Sequence, residues 1–187
     1  MDKIIFLDRD GTINVEKNYL YKTEDFQFIS GVPEAIKSFN DNGYRVVVVT
    51  NQAGVARGYY TEEDVKVLHH YIDGELEKYG AHIDRYMYCP HHPVNGTGEY
   101  KCECNCRKPG TGMFEKCREY YDIDMDASWM IGDNKGDIGA GKNFGIKTIL
   151  VGTGYGKQLR EEGYDEYDYY ASDLAEAARL INQIEVN

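Results

Sequence analysis

The chain has 187 residues, a length that suits one domain able to bury roughly two thirds of its extended surface. With 42% hydrophobic and 13% aromatic residues it has enough apolar surface for a packed core, which excludes general disorder. The formal net charge is −11, and no segment concentrates Lys and Arg, so nucleic acid is not an expected partner. An anionic ligand would need a few local cations and backbone amides in a cleft.

The apolar runs of the chain are short. None approaches the roughly 20 residues that span a bilayer. Residues 1–7 place an acidic residue beside a short apolar run, which is neither the charge layout nor the length of a secretory signal. We therefore expect a single domain over residues 1–187 that acts as a monomer in the cytoplasm, without a membrane partner.

Strand and helix patterns alternate along the chain. Runs rich in β-branched residues predict five buried strands over residues 4–7, 46–49, 83–88, 129–131 and 146–151. Helical patterns cover residues 33–40, 61–79, 111–121, 137–144 and 172–184. The tyrosine-rich residues 164–170 are expected to form a packed or half-exposed surface segment. The alternation predicts an α/β fold with a mostly parallel sheet, helices on both faces and ligands beyond the carboxyl ends of the strands.

Two carboxylates follow the first predicted strand. Asp8 and Asp10 stand two residues apart on a chain that must turn at Gly11. Such a pair suits a divalent metal, and it also suits a nucleophile with its acid–base partner. A calcium loop is the alternative, but that loop needs an oxygen ligand at its fifth position and Glu at its twelfth, where Thr12 and Tyr19 stand.

Polar groups also follow two other predicted strands. Thr50 and Asn51 end the second strand and can cradle a phosphoryl oxygen, although Thr-Asn after a strand also commonly caps a helix. Asp133 ends the fourth strand, with Asp137 four positions on, and supplies a carboxylate from which a metal could bridge back to the first strand. Lys108 provides the local cation that an anionic ligand needs in a chain with a net charge of −11.

Residues 136–142 match the first seven positions of a nucleotide-binding phosphate loop. Asn143 follows where Ser or Thr should bind magnesium. The preceding strand ends at Asp133, so the glycines fall inside a predicted helix and no strand leads directly into the loop. We therefore interpret this segment as a helix that packs closely on the sheet.

Four of the five cysteines fall within eighteen positions, in a segment too polar to be core. Two pairs of Cys and His ligands, each with one residue between its members, can close a tetrahedral zinc site. The predicted zinc ligands are Cys89, His91, Cys104 and Cys106. Free thiols are the alternative. Cys102 and His92 are left outside the predicted site, Cys117 is expected in the core, and residues 89–108 are called the zinc loop below.

The motifs resemble those of the haloacid-dehalogenase (HAD) superfamily, which match here in order: Asp8-x-Asp10-Gly-Thr, Thr50, Lys108 and Gly-Asp133. The resemblance covers essentially the whole chain and implies a Rossmann-like fold. It implies that Asp8 attacks phosphorus to give an aspartyl-phosphate, while Asp10 protonates the leaving oxygen and then activates water. It also implies that Thr50 and Lys108 hold the phosphoryl oxygens. Magnesium would be bound by Asp8, the Asp10 carbonyl and Asp133.

Longer stretches narrow the resemblance to the branch of heptose-bisphosphate and histidinol-phosphate phosphatases: residues 6–14, 49–58, 89–93 and 104–109. This resemblance implies that the zinc is structural and that the zinc loop takes the place of a large cap domain. The substrate contacts that it implies are Glu16, Tyr19, Asn51, Gln52, Arg57, Arg107 and Asn134. Asn18 departs from the branch, since relatives often carry Gly there.

Three functional hypotheses follow. The first is hydrolysis of the C7 phosphate of heptose 1,7-bisphosphate, a step toward nucleotide-activated heptose. The second, hydrolysis of histidinol phosphate, shares every catalytic residue, so that only substrate profiling separates the two. The third is a non-catalytic, zinc-stabilised binding module, and the complete set of catalytic motifs argues against it because a binding module does not need them.

Overall fold

A computed structural model describes residues 1–186 and places a six-stranded, wholly parallel sheet at the centre of the chain. The strands are β1 (Ile4–Leu7), β2 (Arg45–Asn51), β3 (Arg85–Cys89), β4 (Trp129–Gly132), β5 (Lys147–Val151) and β6 (Tyr169–Ala171). Their spatial order is β3-β2-β1-β4-β5-β6, so the sheet grows outward in both directions from β1. The predicted parallel sheet and its five strands are confirmed.

Seven α-helices are described within residues 1–186. They are α1 (Val32–Asp41), α2 (Ala53–Ala56), α3 (Glu62–Glu77), α4 (Gly112–Cys117), α5 (Lys135–Phe144), α6 (Gly156–Glu161) and α7 (Leu174–Val186). The five predicted helices are present, whereas the short helices α2 and α6 were not predicted. Helix α4 ends at Cys117, before the predicted end at residue 121, because a turn follows in which the Cys117 carbonyl accepts from the amides of Tyr120 and Tyr121.

The sixth strand corrects the interpretation of residues 164–170. Tyr169–Ala171 pairs in parallel with β5 at the edge of the sheet. The strand is only three residues long, and its tyrosines are exposed or half-buried, which leaves no apolar run to detect. The half-exposed surface was therefore predicted correctly and the strand pairing was not.

The two faces of the sheet carry separate cores. Alternate β1 residues such as Ile5 and Leu7 pack under α1, α3 and α7, whereas Ile4 and Phe6 pack under α4 and α5. Cys117 is buried in the second core, as predicted. A strand that is buried on both faces has no polar alternation, which explains the continuous apolar run that predicted β1.

The zinc loop contains only one short 3-10 turn, Gly98–Tyr100, and no second sheet forms within residues 1–186. None of the helices in that range combines the length and the apolar character needed to cross a membrane. The prediction of one domain over residues 1–187 stays a prediction, and its last residue lies outside the described part.

Candidate active site

The carboxyl ends of the central strands surround a cavity of about 270 Å³. The predicted site residues that line it are Asp8, Asp10, Glu16, Tyr19, Thr50, Asn51, Gln52, Arg107, Lys108 and Asn134. Asp133 is next to Asp8 but fully buried, and Arg57 is outside the lining. The parallel sheet thus brings together side chains from loops that are far apart in sequence, as strand ends at one edge must.

Lys108 is the buried cation of this site. Its Nζ donates to Asp8 Oδ1 at 2.8 Å, to the Val49 carbonyl at 2.7 Å and to Asp137 Oδ1 at 2.6 Å. Burial lowers the pKa of Lys108, but the Asp137 and Asp8 carboxylates outweigh that effect and raise the pKa overall. The lysine therefore stays protonated, with an acceptor for each of its three N–H bonds.

Three carboxylates converge around this lysine. Asp8, Asp133 and Asp137 each offer an oxygen within 4.8 Å of the others. Burial, followed by Asp137, raises the pKa of Asp8 to about 7. Burial, followed by Asp137 and Asp8, raises the pKa of Asp133 to about 9. One lysine neutralises only one of the three charges, so the site lacks positive charge and fits a divalent cation bound by carboxylate oxygens.

The three carboxylates differ in how many of their oxygens are occupied. Asp137 uses both, since Oδ1 accepts from Lys108 and Oδ2 accepts from the backbone amides of Asp133 and Asn134 at 3.0 and 3.1 Å. Within residues 1–186, Oδ2 of Asp8 accepts no hydrogen bond, since Lys108 bonds only Oδ1. Each oxygen of Asp133 accepts one hydrogen bond, from Asn134 Nδ2 at 3.4 Å and from the Tyr155 amide at 2.9 Å. Asp8 and Asp133 thus accept fewer hydrogen bonds than Asp137 and keep more lone pairs for a metal, while Asp137 positions Lys108.

Two glycines allow the chain to pass close to Asp133. Gly11 and Gly154 both have positive φ, at 85° and 53°, and a Cβ at either position would overlap the Asp133 carboxyl group. Thr153 Oγ1 donates to the Gly11 carbonyl at 2.6 Å and joins the two loops. The backbone amide of Tyr155 then donates to Asp133 Oδ2 at 2.9 Å.

Asp10 has a different set of partners. Its Oδ1 accepts from Asn14 Nδ2 at 3.0 Å and from Arg9 Nη2 at 3.2 Å, while its Oδ2 accepts from Gln52 Nε2 and Arg9 Nη2, both at 3.0 Å. The Asp10 carboxylate is therefore separate from the three-carboxylate cluster and is held by Arg9, Asn14 and Gln52. Metal binding was predicted for its backbone carbonyl, and this stays a prediction.

Gln52 links Asp10 to a second predicted residue. Its Nε2 also donates to Thr50 Oγ1 at 2.9 Å, and its Oε1 accepts from the Tyr60 hydroxyl at 2.5 Å. Gln52 is almost fully buried. Because its polar atoms are occupied by protein partners, the geometry favours a positioning role for Gln52 over the substrate contact that the resemblance implied. Thr50 Oγ1 accepts this hydrogen bond, and the predicted contact of Thr50 with a phosphoryl oxygen stays a prediction.

Asn51 ties the end of the zinc loop to β2. Its Oδ1 accepts from the Lys108 amide at 3.0 Å, and its Nδ2 donates to the Lys108 carbonyl at 3.2 Å. This two-way contact fixes the backbone of Lys108 from the neighbouring strand. Asn51 was predicted as a substrate contact, which stays a prediction, and its side chain holds the Lys108 backbone in place.

The rim of the cavity is formed by a strained turn. Asn18 and Tyr19 have φ values of 51° and 66°, in a region that favours glycine, and Glu16 Oε1 accepts from the Asn18 amide at 2.6 Å. Burial and a neighbouring carboxylate raise the pKa of Glu16. The Arg57 guanidinium lies 5.7 Å from the Tyr19 ring centroid. It therefore packs near the rim residue Tyr19 but does not line the cavity.

Arg107 and Asn134 complete the lining from two other loops. The Nη1 atom of Arg107 lies 3.5 Å from the His91 carbonyl, which places the guanidinium where the zinc loop meets the cavity. Asn134 caps α5, since its Oδ1 accepts from the amides of Gly136 and Asp137 at 2.9 and 3.2 Å.

The four predicted zinc ligands converge in the zinc loop. Cys106 Sγ lies 2.9 Å from Cys89 Sγ, 3.2 Å from Cys104 Sγ and 3.3 Å from His91 Nδ1. The hydrogen bonds that Cys106 shares with Cys89 and Cys104 lower the pKa of the Cys106 thiol, whereas the pKa values of Cys89 and Cys104 are raised. Three sulfurs and one ring nitrogen at this spacing fit a tetrahedral zinc ion.

The neighbouring Cys102 and His92 lie outside this cluster. The Nδ1 atom of His92 accepts from the backbone amides of Val94 and Asn95 at 3.2 and 2.9 Å. This ring nitrogen therefore stabilises a turn, and His92 lies outside the zinc cluster as predicted.

Several positioning residues were missed from the sequence. In the sequence Arg9 is only the spacer residue of the Asp-x-Asp motif, although the structure buries it fully against Asp10. Tyr60 and Tyr155 lie in loops without a motif, and only their places after a predicted strand pointed to this edge of the sheet.

Comparisons with known proteins agree with this geometry. The HAD-hydrolase-like family model matches residues 105–177. A D-glycero-beta-D-manno-heptose-1,7-bisphosphate 7-phosphatase of Haemophilus ducreyi is 43% identical over 182 residues, which cover 96% of this chain and 98% of that protein. A D-glycero-alpha-D-manno-heptose-1,7-bisphosphate 7-phosphatase of Photorhabdus laumondii is 44% identical over 154 residues, which cover 82% and 84% of the two chains.

Among solved structures, the D,D-heptose 1,7-bisphosphate phosphatase from B. bronchiseptica, complexed with magnesium and phosphate, has a TM-score of 0.85 and 32% identity to this chain. The match covers 97% of this chain and 99% of that chain. Identity above 40% over nearly the whole of both chains shows the family. The chain therefore belongs to the D-glycero-D-manno-heptose-1,7-bisphosphate 7-phosphatase family of HAD-like hydrolases.

Proposed function

We propose that this chain is a phosphatase that removes the C7 phosphate of D-glycero-D-manno-heptose 1,7-bisphosphate, on the route to nucleotide-activated heptose. The observation that carries the proposal is the convergence of Asp8, Lys108 and Asp133 at the sheet edge, in a chain that aligns end to end with relatives of that name. Histidinol phosphate is the alternative substrate, and the names of these relatives do not favour it.

The reaction proceeds in two steps on the chain's own residues. A carboxylate oxygen of Asp8 attacks phosphorus, the bond to the sugar oxygen breaks, and the proton of Asp10 goes to that oxygen. Water then attacks the aspartyl-phosphate, Asp10 takes up its proton, and the bond from phosphorus to Asp8 breaks to release phosphate. Thr50 and Lys108 hold the phosphoryl oxygens and offset the negative charge that gathers there.

Magnesium would be held by Asp8, Asp133 and the Asp10 carbonyl. When bound, it supplies the positive charge that an anionic nucleophile needs to approach an anionic phosphate. The charge deficit of the three-carboxylate cluster supports this assignment. Zinc would be held by Cys89, His91, Cys104 and Cys106 as a structural ion that orders the zinc loop.

The substrate contacts are proposed on the cavity lining. Arg107 and Lys108 are the cations of the cavity lining, and Glu16, Tyr19 and Asn134 line the same cavity. Arg57 acts through Tyr19. We also propose a single-domain monomer without a nucleic acid partner, located in the cytoplasm, where a reducing environment keeps the three cysteine ligands from forming disulfides.

The test is a panel of phosphate esters that includes both anomers of heptose 1,7-bisphosphate and histidinol phosphate. We expect phosphate release from the heptose bisphosphate to exceed that from histidinol phosphate by about 10²-fold or more in kcat/KM. Comparable or reversed values would remove the heptose assignment. The Asp8→Asn variant should lose turnover, whereas the exposed Asp122→Asn variant should keep it, and an active Asp8→Asn protein would contradict the enzymatic proposal itself.

A further inference from the structure

Arg9 is a buried guanidinium directly behind the Asp10 carboxylate. It has no exposed surface, and its Nη2 donates to Asp10 Oδ2 at 3.0 Å and to the Leu20 carbonyl at 3.0 Å. Among the donors to Asp10, Arg9 is the cation, since Asn14 and Gln52 are neutral amides. Arg9 therefore supplies the charged hydrogen bonds that orient the Asp10 carboxylate, beside the neutral ones from Asn14 and Gln52.

The other terminal nitrogen of Arg9 faces a histidine from α3. Arg9 Nη1 lies 3.3 Å from His69 Nε2, although the two residues are 60 positions apart in the chain. His69 is 5% exposed and stacks on the Tyr86 ring with a centroid distance of 4.2 Å and an interplanar angle of 14°. The Tyr86 hydroxyl donates to Asp73 Oδ1 at 2.8 Å, so the ring on which the imidazole stacks is itself anchored.

The imidazole is the acceptor in this contact. Burial, followed by the Arg9 guanidinium, lowers the pKa of His69 to about 2, so the ring is neutral at working pH. A neutral ring has one N–H and one lone pair, and Arg9 can only donate. The lone pair is therefore on Nε2, and the proton is on Nδ1.

Within residues 1–186 the Nε of Arg9 is already buried without a partner. Loss of the His69 acceptor would leave a second N–H of the same buried guanidinium unpaired, and a buried unpaired donor is destabilising. The guanidinium would then tilt to recover a partner, and Asp10 would move with it.

We propose that His69 is a positioning residue for Asp10, and that it acts through Arg9 by accepting the Nη1 hydrogen bond that fixes the guanidinium. The inference rests on the proposed function, because it takes Asp10 as the group that protonates the leaving oxygen. His69 touches neither the substrate cavity nor a reacting atom. Its effect is specific to proton transfer by Asp10.

Two substrates with different leaving groups isolate that effect. Aspartyl-phosphate formation from a sugar phosphate needs a proton on a poor leaving oxygen, whereas p-nitrophenolate leaves without one. The ratio kcat/KM covers only the steps up to departure of the leaving group, so the later use of Asp10 as a base does not enter it. A misplaced Asp10 thus lowers kcat/KM for the sugar and spares p-nitrophenyl phosphate.

Three variants carry the experiment. His69→Leu removes the acceptor, His69→Gln offers an amide oxygen to Arg9, and His70→Leu is the matched control on the exposed side of the same helix. We expect His69→Leu to lower kcat/KM for heptose 1,7-bisphosphate about 10- to 100-fold and to leave p-nitrophenyl phosphate within about 3-fold. His69→Gln should recover most of the loss, and His70→Leu should match the wild type on both substrates.

Several outcomes would overturn the inference. These are an unchanged His69→Leu, an equal loss on both substrates, or a His69→Gln that is no better than His69→Leu. If circular dichroism shows that His69→Leu does not fold, His69→Asn takes its place, because its shorter amide cannot reach Arg9.

The Asp10→Asn variant separates the two proposals. A wild type without phosphatase activity contradicts the proposed function, whereas an active wild type with a sensitive Asp10→Asn and an insensitive His69→Leu contradicts only the role of His69.

Discussion

At the scale of single residues, Asp137 shows how a carboxylate outside the reaction can control it. It accepts Lys108 Nζ with one oxygen and two backbone amides with the other. An amide side chain has a single acceptor oxygen, so Asp137→Asn must turn its NH₂ group toward one set of donors. We expect kcat for phosphate release to fall about 10²-fold because Lys108 is displaced from Asp8.

The control for this prediction is Asp165→Asn, which removes an exposed carboxylate. It should leave kcat unchanged in the same assay. An Asp137→Asn protein with wild-type kcat would show that Asp8 and the Val49 carbonyl suffice to hold Lys108.

The residues that gather at the strand ends could be predicted, and many of the residues that hold them could not. Asp8, Lys108 and Asp133 each follow a strand or stand in a short motif, so parallel strands bring them to one edge. Arg9 and His69 have no such spacing. Their contact depends on how α3 packs on the sheet, which only the assembled core decides.

At the scale of elements, two helical glycines have opposite roles. A Cβ at Gly74 in α3 would meet no atom within 4 Å, whereas a Cβ at Gly141 in α5 would overlap Thr148 and Met130 in the sheet. Gly74→Ala should raise the free energy of unfolding by about 0.8–1 kcal/mol, because alanine loses less backbone entropy in a helix. Gly141→Ala should lower it by about 1–3 kcal/mol through overpacking. Urea unfolding measures both, and equal signs would contradict the packing argument.

The zinc loop has its own expected response to metal loss. A zinc-selective chelator with magnesium in excess should speed amide hydrogen exchange over residues 89–108 before exchange rises in the sheet, since four converging ligands order a polar segment. Cys104→Ser should reproduce this effect, and Cys102→Ser should not because Cys102 lies outside the cluster. Simultaneous loss of protection in the loop and the sheet would contradict this prediction.

Contacts outside the metal cluster limit how far the loop can open. Glu62 at the start of α3 accepts from the hydroxyls of Tyr88 and Tyr100 at 2.6 and 2.9 Å, and the Thr97 amide donates to the Ala56 carbonyl at 2.9 Å. We therefore expect the zinc-free loop to exchange faster and still remain docked.

The elements that escaped prediction share a physical cause. Ala53–Ala56, Gly156–Glu161 and Tyr169–Ala171 are short and lack the run of large aliphatic residues that marks the equally short strand β1. Their neighbours in space determine them. The longer helices were predicted because burial imposes a pattern over many positions.

At the scale of the whole molecule, the carboxylate cluster links stability to pH and to magnesium. The pKa values of Asp8 and Asp133, about 7 and about 9 in the fold, lie above the value of 3.8 that unfolding restores. Between pH 3.8 and about pH 9 the native state binds more protons than the unfolded state. Without magnesium, the free energy of unfolding therefore falls as pH rises through this range. Magnesium replaces those protons, and it should raise Tm more at about pH 8.5 than at about pH 6, by about 5 °C.

The measurement is thermal unfolding of the zinc-loaded protein with and without magnesium at both pH values. Asp133→Asn removes one of the two raised carboxyl groups and should reduce both the pH dependence and the magnesium shift. A magnesium shift that is equal at the two pH values would contradict the linkage.

The hydrogen bonds of Lys108 have a consequence for substrate affinity. All three N–H bonds already have acceptors, two of which are anchored by a strand and a helix at Val49 and Asp137. In the proposed reaction we therefore expect a phosphoryl oxygen to reach this cation by exchange with Asp8, whose carboxylate would leave the lysine as it attacks phosphorus. The lysine keeps the same number of partners throughout, and its contribution to substrate affinity is the difference between two ion pairs, not the full strength of one.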